Sequence, residues 1–306
     1  SSDNLDIMVI HGNGATLAVQ RKADVGKSDL LIAATSSDEL NILCCILAKK
    51  LGCRNTISRV INREYAEQLQ LLRDELGLSM TVNLDLISAR EIFGLVQFPS
   101  FLKRDSFAKG RVELVEYKIS SDSHLVGLRI DRLEEALRMK ILVCAVERGD
   151  KIIIPKGSFV FDEGDTIAVT APRSDLAKLV KKLDIANHKI RSVMIVGGGR
   201  IAAYLTDDLL KSNVKVKIIE QNPARCRELA EMFSDALIIC GDGTSQSLLL
   251  EEGIKETDAV ISLTNIDEEN MLVSMFADYV GVPKTITKIS RSEYSQLLSE
   301  KGIGSM

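Results

Sequence analysis

The chain repeats itself. Residues 10–69 align without a gap on residues 239–298, an offset of 229 (239 − 10), and 17 of the 60 paired positions are identical. Ile10-His-Gly-Asn-Gly14 meets Ile239-Cys-Gly-Asp-Gly243, Asp29 meets Asp258, Thr35 meets Thr264, and Asp38-Glu39 meets Asp267-Glu268. Asn41 meets Asn270, Gly52 meets Gly281, Thr56-Ile57 meets Thr285-Ile286, and Glu64-Tyr65 meets Glu293-Tyr294. Self-similarity at one fixed offset constrains the architecture more than any local pattern, because both stretches must take the same fold.

The second copy shows what that fold is. Short apolar β-branched runs at 192–196, 214–219, 236–240, 259–263 and 285–289 read as buried strands. Helical stretches at 200–211, 223–233, 245–252 and 268–280 separate them, with Pro223 at a helix start where its missing N–H is harmless. Alternating strands and helices predict a doubly wound parallel sheet. The first copy supplies only the later strands, at 7–10, 30–34 and 56–60. The counterpart of 191–222 would carry negative numbers, so the first sheet lacks its opening βαβ segment. The chain reads as an internal fragment of a longer protein.

Different material lies between the copies. Residues 84–96 read as a helix packing outside its own sheet, which the residues around Leu78-Ser-Met80 run into. From 111 to 171 the pattern changes to short strands, at 112–119, 141–148, 151–154 and 166–170, with turns at Arg148-Gly-Asp-Lys151 and Asp162-Glu-Gly-Asp165. A helix at 174–183 closes this small α+β module, and linkers are expected near 104–110 and 184–191. The fold class is α/β: two doubly wound Rossmann-like sheets, the first incomplete, flanking an α+β module. The expected domains are 1–108, 109–186 and 187–306.

Composition narrows the function. A net charge of −4 and a pI near 5.6 argue against a nucleic-acid interface, which needs a basic face. No apolar run approaches the roughly 18–20 residues that cross a bilayer; the run at 40–48 stops at Lys49 and Lys50. Any membrane contact is expected to pass through a membrane-protein partner. The six cysteines form no CxxC pair and the three histidines do not cluster with them, so reduced thiols packed as small apolar residues are expected, with no metal site.

One motif carries chemistry. Gly197-Gly-Gly199-Arg200-Ile201-Ala202 follows a predicted strand and opens a predicted helix, and Glu220 ends the next strand 21 residues on (220 − 199). That context is what a dinucleotide fingerprint requires. Gly197 permits the tight turn, Gly199 lets backbone approach a pyrophosphate, and Ala202 lets the helix pack closely. Exposed N–H groups and the helix dipole at the helix start attract phosphate. Glu220 can accept from ribose hydroxyls and would repel a 2′-phosphate, favouring NAD or an adenine nucleotide over NADP.

Other polar positions fall at carboxyl ends of strands, where open α/β sheets bind ligands. Gly241, Asp242 and Gly243 border the adenine side. Thr264 and Asn265 lie near the cleft floor, and Asp267 with Asn270 is expected to cap the next helix. Lys288 and Arg291 stand within reach of phosphate or on a solvated basic surface, with Arg59 at the Lys288 position of the first copy. No nucleophile elbow, HxxxH or Walker pattern is present, and no acid/base set for a dehydrogenase stands out.

The strings Gly241-Asp-Gly-Thr-Ser245, Leu263-Thr-Asn-Ile-Asp-Glu-Glu-Asn270 and Val196-Gly-Gly-Gly-Arg-Ile-Ala202, with the order Rossmann unit, α+β module, Rossmann unit, resemble the TrkA-type regulators of bacterial and archaeal potassium uptake, which are built from RCK (regulator of potassium conductance) domains. The resemblance implies a non-enzymatic, cytoplasmic regulatory subunit, peripheral on the inner face of the membrane. It implies a homo-oligomeric ring built from dimers beneath an integral-membrane potassium channel or transporter, gated by NAD⁺, NADH, ATP or ADP. It implies that the fingerprint residues and Glu220 hold the nucleotide, and that Asn13, Thr35 and Arg59 remain of the first copy's site. The α+β module resembles a dimer contact and a possible second ligand site. The alternatives are an NAD-dependent oxidoreductase of unusual build, or a nucleotide or redox sensor for another cation transporter.

Overall fold

In the computed structural model the structure describes residues 7–62, 64–65, 68–69, 75–99, 103–107, 112–149, 151–172, 175, 178–179, 182 and 189–291. The chain divides into two compact units, Ser1–Ile87 and Ser88–Met306.

The first unit holds a three-stranded parallel sheet. Strands β1 (Leu30–Ala33), β2 (Asn55–Arg59) and β3 (Met80–Val82) lie in that order. Helix α1 (Leu17–Lys22) precedes the sheet and α2 (Asp38–Leu51) crosses from β1 to β2. The α2 sequence explains its limits. Ser37 accepts from Leu40 N at the start, Asp38 and Glu39 lie in the first turn, and Lys49 and Lys50 in the last, each sign matching the helix dipole. Gly52 ends it at φ +109°, a left-handed cap that glycine adopts without strain. Buried Asn41, Cys44, Cys45 and Ala48 repeat at helical spacing and face the sheet.

Two expectations are corrected here. Residues 7–10 form no strand, and Ile7, Met8 and Val9 are exposed. Their counterpart, Leu237–Cys240, is a strand because it pairs with Lys215–Glu220; no described strand lies beside 7–10 to offer the same bonds. The residues after Leu78 do not run straight into a helix, since Met80–Val82 first pairs with β2.

The second unit opens with helix α3 (Leu84–Gln97, which begins within the first) and holds two sheets. One is antiparallel, with β4 (Lys103–Phe107), β5 (Val112–Lys118), β6 (Leu142–Arg148), β7 (Lys151–Ile153) and β8 (Thr166–Pro172) in the order β4-β5-β8-β6-β7. Its inner face packs Val115, Tyr117, Val146, Ile167 and Val169 against Phe161 and against Leu133 and Leu137 of the short helix α4 (Leu133–Leu137). Residues 104–107, expected as linker, are the edge strand of this sheet. The helix expected at 174–183 and the linker at 184–191 fall largely outside the described residues.

The other sheet is parallel and doubly wound. It contains β9 (Ser192–Val196), β10 (Lys215–Glu220), β11 (Leu237–Cys240), β12 (Ala259–Ser262) and β13 (Lys284–Thr287) in the order β11-β10-β9-β12-β13. Central β9 has no wet face. Val193 and Ile195 enter one core with Ala202, Leu205 and Leu209 of α5 (Arg200–Lys211), Leu229 of α6 (Pro223–Met232), and Ala89, Ile92 and Val96 of α3. Met194 and Val196 enter the opposite core with Leu249 of α7 (Gln246–Glu251) and Val273 and Ala277 of α8 (Asp267–Tyr279). Burial on both faces is why β9 reads as an unbroken apolar run. The winding reverses between β9 and β12, and open α/β sheets take ligands at the carboxyl ends of strands at that switch point.

Candidate functional site

The glycine run leaves β9 at the switch point. Gly197 N donates to Ile219 O at 2.8 Å. Gly197 sits at φ +98°, and a Cβ there would lie 2.9 Å from Leu263 C and O and from Thr264 N, so both conformation and space demand glycine. A Cβ on Gly198 would meet Leu229 Cδ1 at 2.5 Å. A Cβ on Gly199 would meet nothing within 4 Å. Gly199 is the N-cap of α5 and gives that helix no side-chain cap. An uncapped helix start facing open space is the arrangement that receives phosphate oxygens. Ala202 is wholly buried and Ile201 half-buried in the core beneath, so these two seat the helix, while Arg200 is exposed at its first turn.

Glu220 ends β10 beside the run. Its Oε2 accepts from Gly198 N and its Oε1 from Asn222 N, both at 2.7 Å. Arg225, in the first turn of α6, was not singled out from the sequence. Its Nε donates to Gly198 O at 2.8 Å and its Nη2 to Gly199 O at 3.4 Å, while Nη1 pairs with Glu228 at 2.8 Å. The signal for it was its place: a basic residue five positions after Glu220 (225 − 220), on a helix starting at the carboxyl edge of the sheet.

The remaining positions divide by what they hold. Asp242 is exposed, and Oδ1 accepts from Thr244 N at 2.9 Å and Thr244 Oγ1 at 2.8 Å; these bonds hold its carboxyl below the usual range. Gly241 and Gly243 answer to packing, since Cβ atoms there would fall 2.6 Å from Leu248 Cδ2 and 2.3 Å from Val196 Cγ1. Asn270 organises the fourth and fifth strand ends. It accepts from Thr264 N at 2.8 Å and donates to Thr264 O at 3.1 Å and Lys288 O at 3.0 Å. Lys288 Nζ donates to Thr264 O at 3.2 Å, Asn265 is exposed, and Arg291 pairs with Glu268 at 3.2 Å.

Asp267 does not cap its helix, contrary to expectation. Ile266 is the N-cap, and the Asp267 carboxylate accepts from Ser290 N and Arg291 N, each at 3.0 Å, pinning the turn after β13. Burial pushes that carboxyl up, but the bonds from Ser290 and Arg291 outweigh it and hold it below the usual range.

The same bonds recur in the first unit at the offset of 229. Asn41 accepts from Thr35 N at 2.7 Å and donates to Arg59 O at 3.0 Å, as Asn270 does with Thr264 and Lys288. Asp38 accepts from Ile61 N and Asn62 N at 2.8 and 2.7 Å, as Asp267 does with Ser290 and Arg291. Arg59 Nη2 donates to Thr35 O as Lys288 does to Thr264 O. Asn13 Oδ1 accepts from Ala15 N at 2.9 Å, matching Asp242 with Thr244. Thr35 and Arg59 thus share one framework through Asn41, while Asn13 bonds only locally to Ala15 and Thr16, all in the unit separate from the glycine run. Among the described residues no three His, Cys, Asp or Glu side chains converge to hold a metal ion, and no helix is long and apolar enough to cross a membrane.

The TrkA-N domain matches residues 2–83 and 193–306, one segment per copy, and the TrkA-C domain matches 114–184. The chain is 35% identical over 311 residues to the Trk system potassium uptake protein trkA homolog 1 of Methanosarcina mazei, covering 99% of this chain and 76% of that protein. It is 33% identical to the Archaeoglobus fulgidus TrkA homolog (98% and 68% covered) and 32% identical to Vibrio alginolyticus TrkA (97% and 65% covered). Among solved structures the GsuK channel superposes with a TM-score of 0.72 at 19% identity, covering all of this chain and 54% of that one; the GsuK channel bound to NAD gives 0.71 at the same identity, covering 99% and 53%. At that identity the likeness is one of fold. With two TrkA-N segments flanking a TrkA-C segment, and this similarity along nearly all of its length, the chain belongs to the TrkA family of Trk system potassium uptake proteins.

Proposed function

We propose that the second Rossmann copy binds an adenine nucleotide, NAD or ATP/ADP, and that its occupancy regulates potassium uptake through a membrane-embedded channel or transporter. The carrying observation is the Gly197–Gly199 turn: an uncapped helix start with open space before it, at the switch point, beside a carboxylate at the end of the next strand. In this reading the α5 start receives phosphate. Glu220 receives ribose hydroxyls and disfavours a 2′-phosphate by like charge. Gly241–Gly243 border the adenine, and Thr264, Asn265 and Lys288 line the floor. Asn13, Thr35 and Arg59 belong to the equivalent site of the first copy.

The chain acts by binding rather than turnover. Glu220, Asp242 and Asn270 are engaged with backbone, which suits holding a ligand more than moving its protons. A nucleotide can shift the assembly only through different affinity for its two shapes. We read the assembly as a homo-oligomeric ring on the cytoplasmic face of its membrane partner. The chain spans roughly half of each GsuK channel chain named above, so the partner belongs to this proposal.

The test is calorimetric titration of the chain with NAD⁺, NADH, ATP and ADP. Saturable binding of at least one, with a different Kd for another, supports a sensor. Absence of binding for all four sinks the reading of the second copy as the regulatory site.

A further inference from the structure

Glu220 has a second role through its main chain. Its carbonyl oxygen accepts from Gly241 N at 3.0 Å and from Cys226 Sγ at 3.2 Å. The β10–β11 register sets Glu220 directly beside Cys240. Helix α6 packs over this strand pair through Leu229 against Ile218 and Ile238, so Cys226 and Cys240 both lie against Glu220, one from the helix and one from the neighbouring strand. The two differ in access, Cys226 being buried and Cys240 exposed. Of the other four cysteines, Cys44, Cys45 and Cys53 are buried in the first unit and Cys144 lies on β6.

We propose that Cys226 and Cys240 form a redox-sensitive dithiol at the ribose end of the glycine-loop cleft, which a low-molecular-weight disulfide converts to an intrachain disulfide that weakens nucleotide binding. The effect on binding rests on the nucleotide-sensor reading above; formation of the bond does not.

The chemistry is thiol–disulfide exchange. The exposed Cys240 thiolate attacks one sulfur of RS–SR, forming a mixed disulfide at Cys240 and releasing RS⁻. Cys226 then loses its proton to solvent and attacks the Cys240 sulfur, forming the Cys226–Cys240 bond and releasing the second RS⁻. Two cysteine thiols are oxidised, one external disulfide is reduced to two thiols, and the two protons end on those thiols. Burial first, and then the neighbouring Cys240 thiol, push the Cys226 thiol up to about 11.

The consequence follows from chain order. Cys226 directly follows Arg225, whose guanidinium holds Gly198 O and Gly199 O. A bond of about 2 Å between the two sulfurs draws the first turn of α6 toward β11. It also removes the Cys226 donor from Glu220 O. Both changes act on the elements that shape the glycine turn and position Glu220.

The experiment uses the chain as it stands, equilibrated in reduced or oxidised glutathione. Peptide mass mapping reads the bond, and calorimetric titration with ATP and NAD⁺ reads its effect. We expect a peptide linking Cys226 to Cys240 only in the oxidised sample. Affinity should fall about tenfold, within the usual range of site-to-site coupling, and return with dithiothreitol. Cys240→Ser should keep the reduced-state affinity in both buffers. Phenylarsine oxide, which bridges close thiol pairs, should compete with the linkage in wild-type chain, a check that needs no variant. Glutathione on Cys240 without the link, or the link with unchanged affinity, overturns the switch alone. Reduced chain that binds no nucleotide overturns the sensor reading and the switch together.

Discussion

Glu220 and Arg225 hold opposite ends of one residue: Glu220 Oε2 accepts from Gly198 N at 2.7 Å, and Arg225 Nε donates to Gly198 O at 2.8 Å. The two side chains come from the end of β10 and the first turn of α6, so strand and helix both fix the turn between β9 and α5. Each glycine there has a separate reason. Gly197 needs its backbone angle, Gly198 lies against Leu229, and Gly199 faces open space. A turn held in this way before a ligand arrives loses little freedom on binding, which favours affinity.

Arg225→Ala therefore tests preorganisation. The side chain is one-quarter exposed and its turn-facing bonds go to two carbonyls of the glycine run. Nucleotide Kd should rise about tenfold, equivalent to about 1.4 kcal/mol, with a shift in Tm of only a few degrees. Arg225→Lys should not restore affinity, because one ammonium cannot span both carbonyls as the planar fork does. Calorimetry paired with thermal melts separates this outcome from general destabilisation.

The glycines predict opposite phenotypes two residues apart. Gly199→Asp places a carboxylate in open space at the α5 start, so the chain should fold with near wild-type Tm and lose nucleotide binding by about a hundredfold or more through charge repulsion with phosphate. Gly197→Ala forces a Cβ against Leu263 and Thr264 backbone at a positive φ, and should destabilise by about 1–3 kcal/mol. Circular-dichroism melts and titration of both variants check the contrast. A Gly199→Asp chain that binds as well as wild type would show that the turn is a scaffold.

Much of this was legible in the residues. Apolar runs bounded by turn signals locate β9 through β13 to within two residues, because a parallel strand buried on both faces has few polar positions to blur it. The repeat carried the framework further than expected: Asn41 and Asn270 make the same bonds, though the sequence showed only two identical letters. Partnership was illegible. Residues 7–10 have strand composition but no described neighbour, and Met80–Val82 is too short to announce itself without β2 beside it. Arg225 looked like one charge among several on a solvated helix, and only the backbone path of the glycine run shows what it reaches. Asp267 stood where a cap is expected, yet its carboxylate points to the turn after β13, a relation 23 residues apart (290 − 267) that no local pattern records.

Lys284 predicts a pH dependence. It begins β13, its Nζ donates to Pro99 O at 3.0 Å, and burial lowers its pKa to about 8 from an ordinary 10.5. Between those values the unfolded chain binds more protons than the folded one, so this group makes stability rise with pH across that window. Below it both states are protonated, and the folded chain carries the burden of a buried ammonium. Lys284→Met removes the window. Chemical denaturation at pH 7 and pH 10 should show wild type gaining stability relative to the variant at the higher pH. A constant difference between the two would assign the lysine an ordinary proton affinity.

In the α+β module Arg148 pairs with a buried carboxylate, Asp165. Asp165 is fully buried and accepts from Arg148 Nε and Nη2, both at 2.7 Å, and from Asp162 N at 2.9 Å. Arg148 also lies over the Phe159 ring at 4.9 Å, tying β6 to the turn before β8. The Arg148 hydrogen bonds, acting against burial, hold the Asp165 carboxyl below the usual range. A carboxyl lowered in the folded state contributes stability that is present above its unfolded pKa and lost as pH falls through its folded pKa. Asp165→Asn keeps the shape but removes the charge, leaving Arg148 with a weaker partner. Because Arg148 is two-fifths exposed, water screens part of the loss, and about 2 kcal/mol at pH 7 is expected rather than the larger value of a fully buried pair. The difference from wild type should shrink as pH drops below the carboxylate range, where residue 165 is uncharged in wild type and variant alike. Equal sensitivity to acid in wild type and variant would mean that the pair is not what secures the turn.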